Sequence, residues 1–260
     1  NARVIETKDF QWQTSINGTY LKNEVKKLTD QQPVIHTGSF QSVVVEPCII
    51  KEGEALGSFY GQEWAGIDAE GYDTYWSTNE AGERVAVRAP KDSDRKVLGK
   101  STPDFTLGWN NTLSYKNWSL NAFFNSAFGV QRLNALRFAM NSMIGNSRMF
   151  TDADFLSEIG KTMPNPTVAN NNYIGASSKW VENANYFRCE NITLAYELPK
   201  SMTKFADIRL SFSVQNLFTI TNYKGSNPAG YNGDGDATGG IDCGTYPTPR
   251  TFTFGARFNF

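Results

Sequence analysis

Cysteine, histidine, charge and long apolar runs are all scarce in this sequence, and each scarcity excludes something. Of 260 residues only three are cysteine (Cys48, Cys189, Cys243) and one is histidine (His36). That set offers no zinc-ligand spacing and no disulfide framework, although a single incidental bridge in an oxidising compartment stays compatible with it. A lone His36 in a long loop, with no Ser or Cys beside it, assembles no nucleophile, base and orienter. The carboxylate pairs Asp92 with Asp94 and Asp152 with Asp154 fall in loops and read as solvated charge rather than glycosidase machinery. No enzymatic activity and no cofactor are therefore expected. Charged residues make up 20%, with 25 basic against 26 acidic, so no basic field is available for nucleic acid. No stretch approaches the roughly 18 to 20 consecutive apolar residues of a membrane-spanning helix. The start, Asn1-Ala2-Arg3-Val4, lacks a charged-then-apolar signal layout.

What is abundant is aromatic: 18 Phe, 11 Tyr and 6 Trp, 13% of the chain, at a mean hydropathy of only -0.45. A transmembrane β-barrel reconciles the two, because its strands are apolar at alternate positions and aromatic at both membrane interfaces. Period two is clearest at the end, where Phe252, Phe254, Ala256, Phe258 and Phe260 alternate with Thr251, Thr253, Gly255, Arg257 and Asn259. Ile208 to Gln215, Trp118 to Asn125, Phe105 to Tyr115, Phe10 to Tyr20 and Ile192 to Leu198 repeat the pattern. Gln41 to Ile50 and Gly57 to Asp68 complete eight expected strands, with poor alternation and with Pro47 weakening the first. The polar parity is Gln, Asn, Ser, Thr and Gly, which suits a wet lumen. Alternation alone fits a soluble β-sandwich equally well. The connections separate the two. Short turns (Lys51 to Leu56, Lys116-Asn117, Pro199 to Ala206) alternate with long excursions (Asn23 to Ser39, Ala69 to Pro103, Gly129 to Ala184, Thr219 to Pro249), the layout of an outer-membrane barrel with its C-terminus on the periplasmic side. Within the excursions, Leu133, Leu136, Met140, Met143 and Ile144 predict one short amphipathic helix over 130–144.

Several blocks carry a family resemblance: Gly53-Glu54-Ala55-Leu56-Gly57-Ser58-Phe59-Tyr60-Gly61 with Gly66-Ile67-Asp68; Val97-Leu98-Gly99-Lys100-Ser101-Thr102-Pro103-Asp104-Phe105; Asn191-Ile192-Thr193-Leu194-Ala195-Tyr196-Glu197-Leu198-Pro199; Gln215-Asn216-Leu217-Phe218-Thr219; and Tyr246-Pro247-Thr248-Pro249-Arg250 running to Phe260. Together they resemble the C-terminal part of SusC-like TonB-dependent outer-membrane transporters. The resemblance implies a plugged barrel of about 22 strands, placed in the outer membrane of a Gram-negative bacterium. It also implies import of oligosaccharides or peptides driven by the TonB complex, with a SusD-like surface lipoprotein at the mouth. Residues 1–260 are then one segment of barrel, in contact with outer-membrane lipid and with the remainder of the transporter, including a plug that this sequence does not carry. A self-contained eight-stranded barrel with a structural or adhesion role is the alternative, since eight strands can close alone.

Candidate site residues follow from these readings. Tyr72, Tyr75 and Trp76 in one excursion and Tyr223, Tyr231 and Asn232 in another pair aromatic faces with amides, as sugar recognition requires, and loop packing would use the same residues. Phe254, Phe258 and Phe260 fit an aromatic-ended last strand read during barrel assembly. Asn232, Asp234 and Asp236 have the spacing that opens a calcium loop, but Ala237 and Cys243 stand where Gly and a bidentate Glu are needed, so no metal is expected.

Overall fold

The computed structural model describes residues 1–40, 44–141, 157, 160–161, 174–202, 206–230 and 235–260. Along the chain these form β1 (Ala2–Glu6), β2 (Phe10–Tyr20), β3 (Val34–Phe40), β4 (Val44–Lys51), β5 (Ser58–Gly61), β6 (Trp64–Ile67), β7 (Asp73–Thr78), β8 (Arg84–Val87), β9 (Lys96–Lys100), β10 (Phe105–Tyr115), β11 (Trp118–Phe128), β12 (Gln131–Asn134) and helix α1 (Ala135–Asn141). After them come β13 (Val181–Asn183), β14 (Tyr186–Glu197), β15 (Asp207–Thr221), β16 (Ile241–Asp242) and β17 (Thr251–Asn259). No helix among the described residues is long and apolar enough to cross a membrane.

Seven strands make one antiparallel wall in the order β1-β2-β10-β11-β14-β15-β17. Its register turns the alternation of each strand into continuous rows. Trp12, Leu113, Leu120, Leu194, Phe212 and Phe254 stand opposite one another across six strands. One residue along, Gln13, Thr112, Asn121, Thr193, Ser213 and Thr253 form a row on the other face. Because side chains alternate with period two, one face is mainly apolar and the other carries amides and hydroxyls. The polar face bonds to itself: Asn121 Nδ2 donates to Thr112 Oγ1 at 3.1 Å, and the Thr193 and Ser213 hydroxyls lie 2.9 Å apart.

The apolar face ends in aromatic girdles. Phe10, Tyr115, Trp118 and Tyr196 are cross-strand neighbours at one end, and Tyr20, Phe105 and Phe128 at the other. Between Phe105 and Tyr115 the strand covers about 33 Å, which at a tilt near 40° gives a band about 25 Å tall, the height of an outer-membrane barrel's lipid zone. Besides Ser126, which stands opposite Leu107, two polar side chains interrupt this face, Thr14 and Asn111, directly opposite each other. Each is covered by an indole: Trp109 Nε1 donates to Thr14 Oγ1 at 2.9 Å and Trp12 Nε1 to Asn111 Oδ1 at 3.2 Å. For these two, the indole supplies the partner that hydrocarbon cannot. In β14 a register shift around Glu190 lets Phe187 and Cys189 stay on the apolar face with Ile192 and Leu194, although their parity differs.

Two expectations are corrected. The wall has seven strands rather than eight, because β4, β5 and β6, which occupy the Gln41 to Ile50 and Gly57 to Asp68 segments, pair elsewhere. The turn at Lys51 to Leu56 therefore belongs with the long connections. β1, absent from the sequence reading, joins the wall's edge. Short links then join β1 to β2, β10 to β11 and β14 to β15 at one end, while Leu21 to Asp104, Gly129 to Asn185 and Asn222 to Arg250 cross at the other. The helix is also shorter than expected: Gln131–Asn134 is strand, α1 spans Ala135–Asn141, and Met143 and Ile144 lie outside the described residues.

The three long connections fold together into a cap with its own small sheets, β3-β4-β5-β9, β6-β7-β8 and β13-β12-β16. One buried cluster draws Phe40, Cys48 and Phe59 from the first connection, Leu133, Phe138 and Trp180 from the second, and Ile241 from the third. Each large side chain buried there contributes roughly 1.5–3 kcal/mol. Burial pushes the Cys48 thiol up to about 12, which leaves it an inert packing group. Close approach is visible at Gly61, where a Cβ would sit 1.9 Å from the carbonyl oxygen of Ala176.

Leu194 and Thr193 are adjacent and face opposite ways, so they test the two faces. Leu194→Arg in the intact protein is expected to destabilise the membrane-inserted barrel by about 2–4 kcal/mol, while Thr193→Arg leaves folding near wild type. Guanidinium unfolding in lipid vesicles measures both, and equal effects would contradict the assignment of faces.

Candidate functional site

The cap presents one surface that combines aromatic and charged groups on a rigid frame. Sheet β6-β7-β8 is a meander whose β7–β8 turn is closed by Asn79: its N–H donates to Glu83 O at 2.9 Å, and its Oδ1 accepts from Glu83 N at 2.8 Å. Alternation along β7 sends Asp73, Tyr75 and Ser77 inward, all buried, and places Tyr72 and Trp76 on the opposite parity, half-buried. Arg84 stacks over the Trp76 ring at 4.4 Å and Arg88 over Tyr72 at 3.8 Å.

Carboxylates fix both guanidiniums. Arg88 donates Nε to Asp68 Oδ2 at 2.6 Å and Nη2 to Glu70 Oε2 at 2.7 Å, and Arg84 Nη2 donates to Glu63 Oε2 at 2.6 Å. The backbone N–H of Tyr72, and then Arg88, hold the Asp68 carboxyl below the usual range. Lys96 first, and then Arg84, do the same for Glu63. The Arg84–Trp76 stack gains about 0.5–1 kcal/mol at such exposure.

Beneath this face the sheet is bolted to the segment around Lys179. Lys179 Nζ donates to both Asp73 carboxylate oxygens at 2.7 and 2.9 Å, with side chains only 4% and 2% exposed. Trp64 Nε1 donates to the same Asp73 Oδ1 at 2.7 Å, and the ammonium lies 4.9 Å from the Trp180 ring centre. Burial lowers the Lys179 pKa despite the pull of Asp73. The Tyr75 hydroxyl accepts from Ile174 N at 3.2 Å, and Trp64 N donates to Ser178 Oγ at 2.9 Å.

Of the residues singled out from sequence, Tyr72 and Trp76 are therefore brought together on an accessible face. Tyr75 and Tyr223 are not, and their assignment as ligand contacts is corrected. Tyr75 is 0% exposed and Tyr223 6%, each spent on an interior hydrogen bond. The Tyr223 phenol donates to Asp242 Oδ2 at 2.6 Å, while Asp242 Oδ1 accepts from Gly244 N, Thr245 N and Thr245 Oγ1. Tyr231, Asn232 and Asp234 lie outside the described residues, and Asp236 is exposed. Phe254, Phe258 and Phe260 are exposed at 81%, 52% and 96% at the wall's edge. Arg84, Arg88, Asp73 and Lys179 were missed by sequence reasoning. A signal for part of this existed, since period two through residues 72–77 already separates Tyr75 from Tyr72 and Trp76.

Two outcomes follow. Lys179→Met leaves the Asp73 carboxylate buried without its cation, and is expected to cost about 3–5 kcal/mol of cap stability. Adding Asp73→Asn, which keeps an acceptor for Trp64, recovers most of that loss, read by hydrogen exchange over β6–β8 in the intact protein. The second concerns acid. Burial alone would raise the Asp242 carboxyl, but the hydrogen bonds from Tyr223, Thr245 and Gly244 outweigh it and hold the pKa below its ordinary 3.8. A depressed carboxyl stabilises the fold above its ordinary pKa and loses that contribution as pH falls through the folded value. Near-UV circular dichroism is expected to show cap loosening below about pH 4, with the dependence reduced in Asp242→Asn.

No protein-family model matches the chain. The TonB-dependent receptor P3 of Formosa agariphila is 34% identical over 284 residues, covering 100% of this chain and 28% of that protein. The TonB-dependent receptor SusC of Bacteroides thetaiotaomicron is 27% identical over 287 residues, covering 100% of this chain and 25% of that protein. Among solved structures, the RagAB peptide importer in its open-open state superposes with a TM-score of 0.77 at 24% identity, over 99% of this chain and 27% of that one. At that identity the structural likeness is one of fold. The chain spans 25% to 29% of the length of the curated relatives it matches.

Proposed function

We propose that the chain, similar over its whole length to TonB-dependent receptors including SusC, is one of the SusC-like receptors and forms an arc of barrel wall and part of the extracellular cap in an outer-membrane nutrient importer. The observation that carries this reading is the pairing of a two-faced wall with a cap confined to one end. An apolar band about 25 Å tall suits lipid, and the amide and hydroxyl face suits a wet interior. The cap offers a rigid aromatic surface on the outer side. The imported solute is an oligosaccharide or a peptide, as the family resemblance implies, with Tyr72 and Trp76 among its contacts. Energy comes from the TonB complex, and a SusD-like lipoprotein is the surface partner. In this reading residues 1–260 are the C-terminal part of the barrel, with the plug elsewhere in the polypeptide, and Phe254, Phe258 and Phe260 serve its assembly.

Strand direction argues against closure by the seven wall strands alone. Six successive antiparallel pairings separate β1 from β17, so the two edges run the same way. Joining them directly would make a parallel seam, whereas these barrels close antiparallel with an even strand number. An odd number of further strands resolves this.

The test is physiological. Deleting the gene that encodes this chain, or the cell's TonB, is expected to abolish growth on the one glycan or peptide source that the receptor supplies, and to spare growth on glucose. Phe260→Ala in the restored gene is expected to lower the amount of heat-modifiable barrel in the outer membrane. Unimpaired growth of the deletion strain on every glycan and peptide source tried would overturn the import reading.

A further inference from the structure

The meander that carries Tyr72 and Trp76 has one open edge. In sheet β6-β7-β8, β7 is central, and the β6 side is met by Ser178 and the neighbouring 174–180 segment. β8 pairs only with β7, in the register Tyr75↔Val87, Trp76↔Ala86, Ser77↔Val85 and Thr78↔Arg84. Because Asn79 N bonds to Glu83 O, the hydrogen-bonded pairs of this antiparallel ladder fall at alternate positions, at Val85 and Val87. The N–H and C=O groups of Arg84 and Ala86 therefore point away from β7, and no partner for them exists among the described residues.

Chemistry along this edge selects an occupant. Arg84 is 57% exposed at its side chain and uses only Nη2, toward Glu63, so its remaining donors are available to a carboxylate. Ala86 presents only a methyl beside Trp76, which leaves the indole approachable from the edge. The strand is held in place by the Lys179–Asp73 pair and the Tyr75 hydroxyl behind it, so little ordering is needed on binding. A neutral sugar would use the ring faces, and Arg84 and Arg88 already cover one face of each. A chain with its own backbone donors and acceptors uses the unpaired groups instead.

We infer that the β8 edge is a peptide-binding site, where an extended, carboxylate-bearing peptide adds as a fourth strand, pairing its backbone with Arg84 and Ala86 and setting an acidic side chain against the Arg84 guanidinium. This deepens the import reading and rests on it for the peptide's role as solute.

Binding is measured by calorimetry on the intact detergent-purified receptor. The probes are an end-blocked heptapeptide alternating Glu and Thr, its twin methylated on alternate backbone nitrogens, and maltoheptaose. The peptide is expected to bind, and its twin to bind at least tenfold more weakly. Ala86→Pro removes an outward N–H while sparing the inner ladder, a position where an edge strand tolerates proline, and is expected to cost at least tenfold in peptide affinity. The methylated twin tests wild-type protein, so a poorly folding variant leaves the result interpretable. A twin that binds as well as its parent, or a peptide that does not bind, overturns the site. Maltoheptaose binding that Trp76→Ala abolishes, with no peptide binding, overturns the peptide and keeps the importer. Failure of the importer shows separately, in growth of the deletion strain.

Discussion

Every backbone donor and acceptor inside hydrocarbon must find a partner within the protein, and this constraint shapes the rest of the molecule. β10 meets β2 and β11 along all eleven of its residues, which leaves no unpaired stretch at membrane depth. The same constraint reaches two of the polar side chains on the lipid face. Thr14 and Asn111 persist there because Trp109 and Trp12 supply the missing donors across the same strand pair. Apart from the register shifts near Glu190 and between Arg3 and Ile5, the described wall strands pair regularly. The three long connections gather at one end, where they bury Phe59, Phe138 and Trp180 in a core of their own.

This origin explains which parts of the fold were legible in the sequence. Where one face meets lipid, each apolar position reports its own orientation, so Phe105 to Tyr115 and Thr251 to Phe260 could be read residue by residue. β4 and β5 gave no such signal, because Cys48, Ile49 and Phe59 are all buried within the cap. β-branched and aromatic content marks such segments as strands, yet it does not name their pairing partner, and they were counted into the wall. β1 was missed for a complementary reason. Its five residues pair only with β2, through a register shift between Arg3 and Ile5, and Val4 and Ile5 sit side by side without alternation. The helix was placed too early because Leu133 and Leu136 are three apart, a spacing compatible with a helix and equally with the end of β12 followed by the start of α1.

The candidate site was legible in its residue types and opaque in its contacts. Aromatic content singled out the Tyr72 to Trp76 stretch, but burial depends on what packs behind β7. The group behind it is Lys179, 106 positions away in sequence. No local pattern announces such a pair. Tyr223 fails as a ligand contact on similar grounds, since Asp242 reaches it through a turn built by Gly244 and Thr245. Arg84 and Arg88 read as ordinary surface charge until the register of β8 sets them over the two rings.

Wall and cap are joined by a small apolar cluster of Ala127, Val130, Ala184 and Tyr223 with Tyr186, and by polar side chains. Arg188 on the polar face of β14 donates Nε to Thr219 of β15 at 3.0 Å and Nη2 to Asn227 of the third connection at 2.7 Å. Nearby, Asn185 and Thr221 tie the ends of the same two strands together. The wall's register is fixed by hydrocarbon and the cap's by its own core. Wall and cap thus draw their stability from different surroundings, the one from lipid and the other from its own buried core.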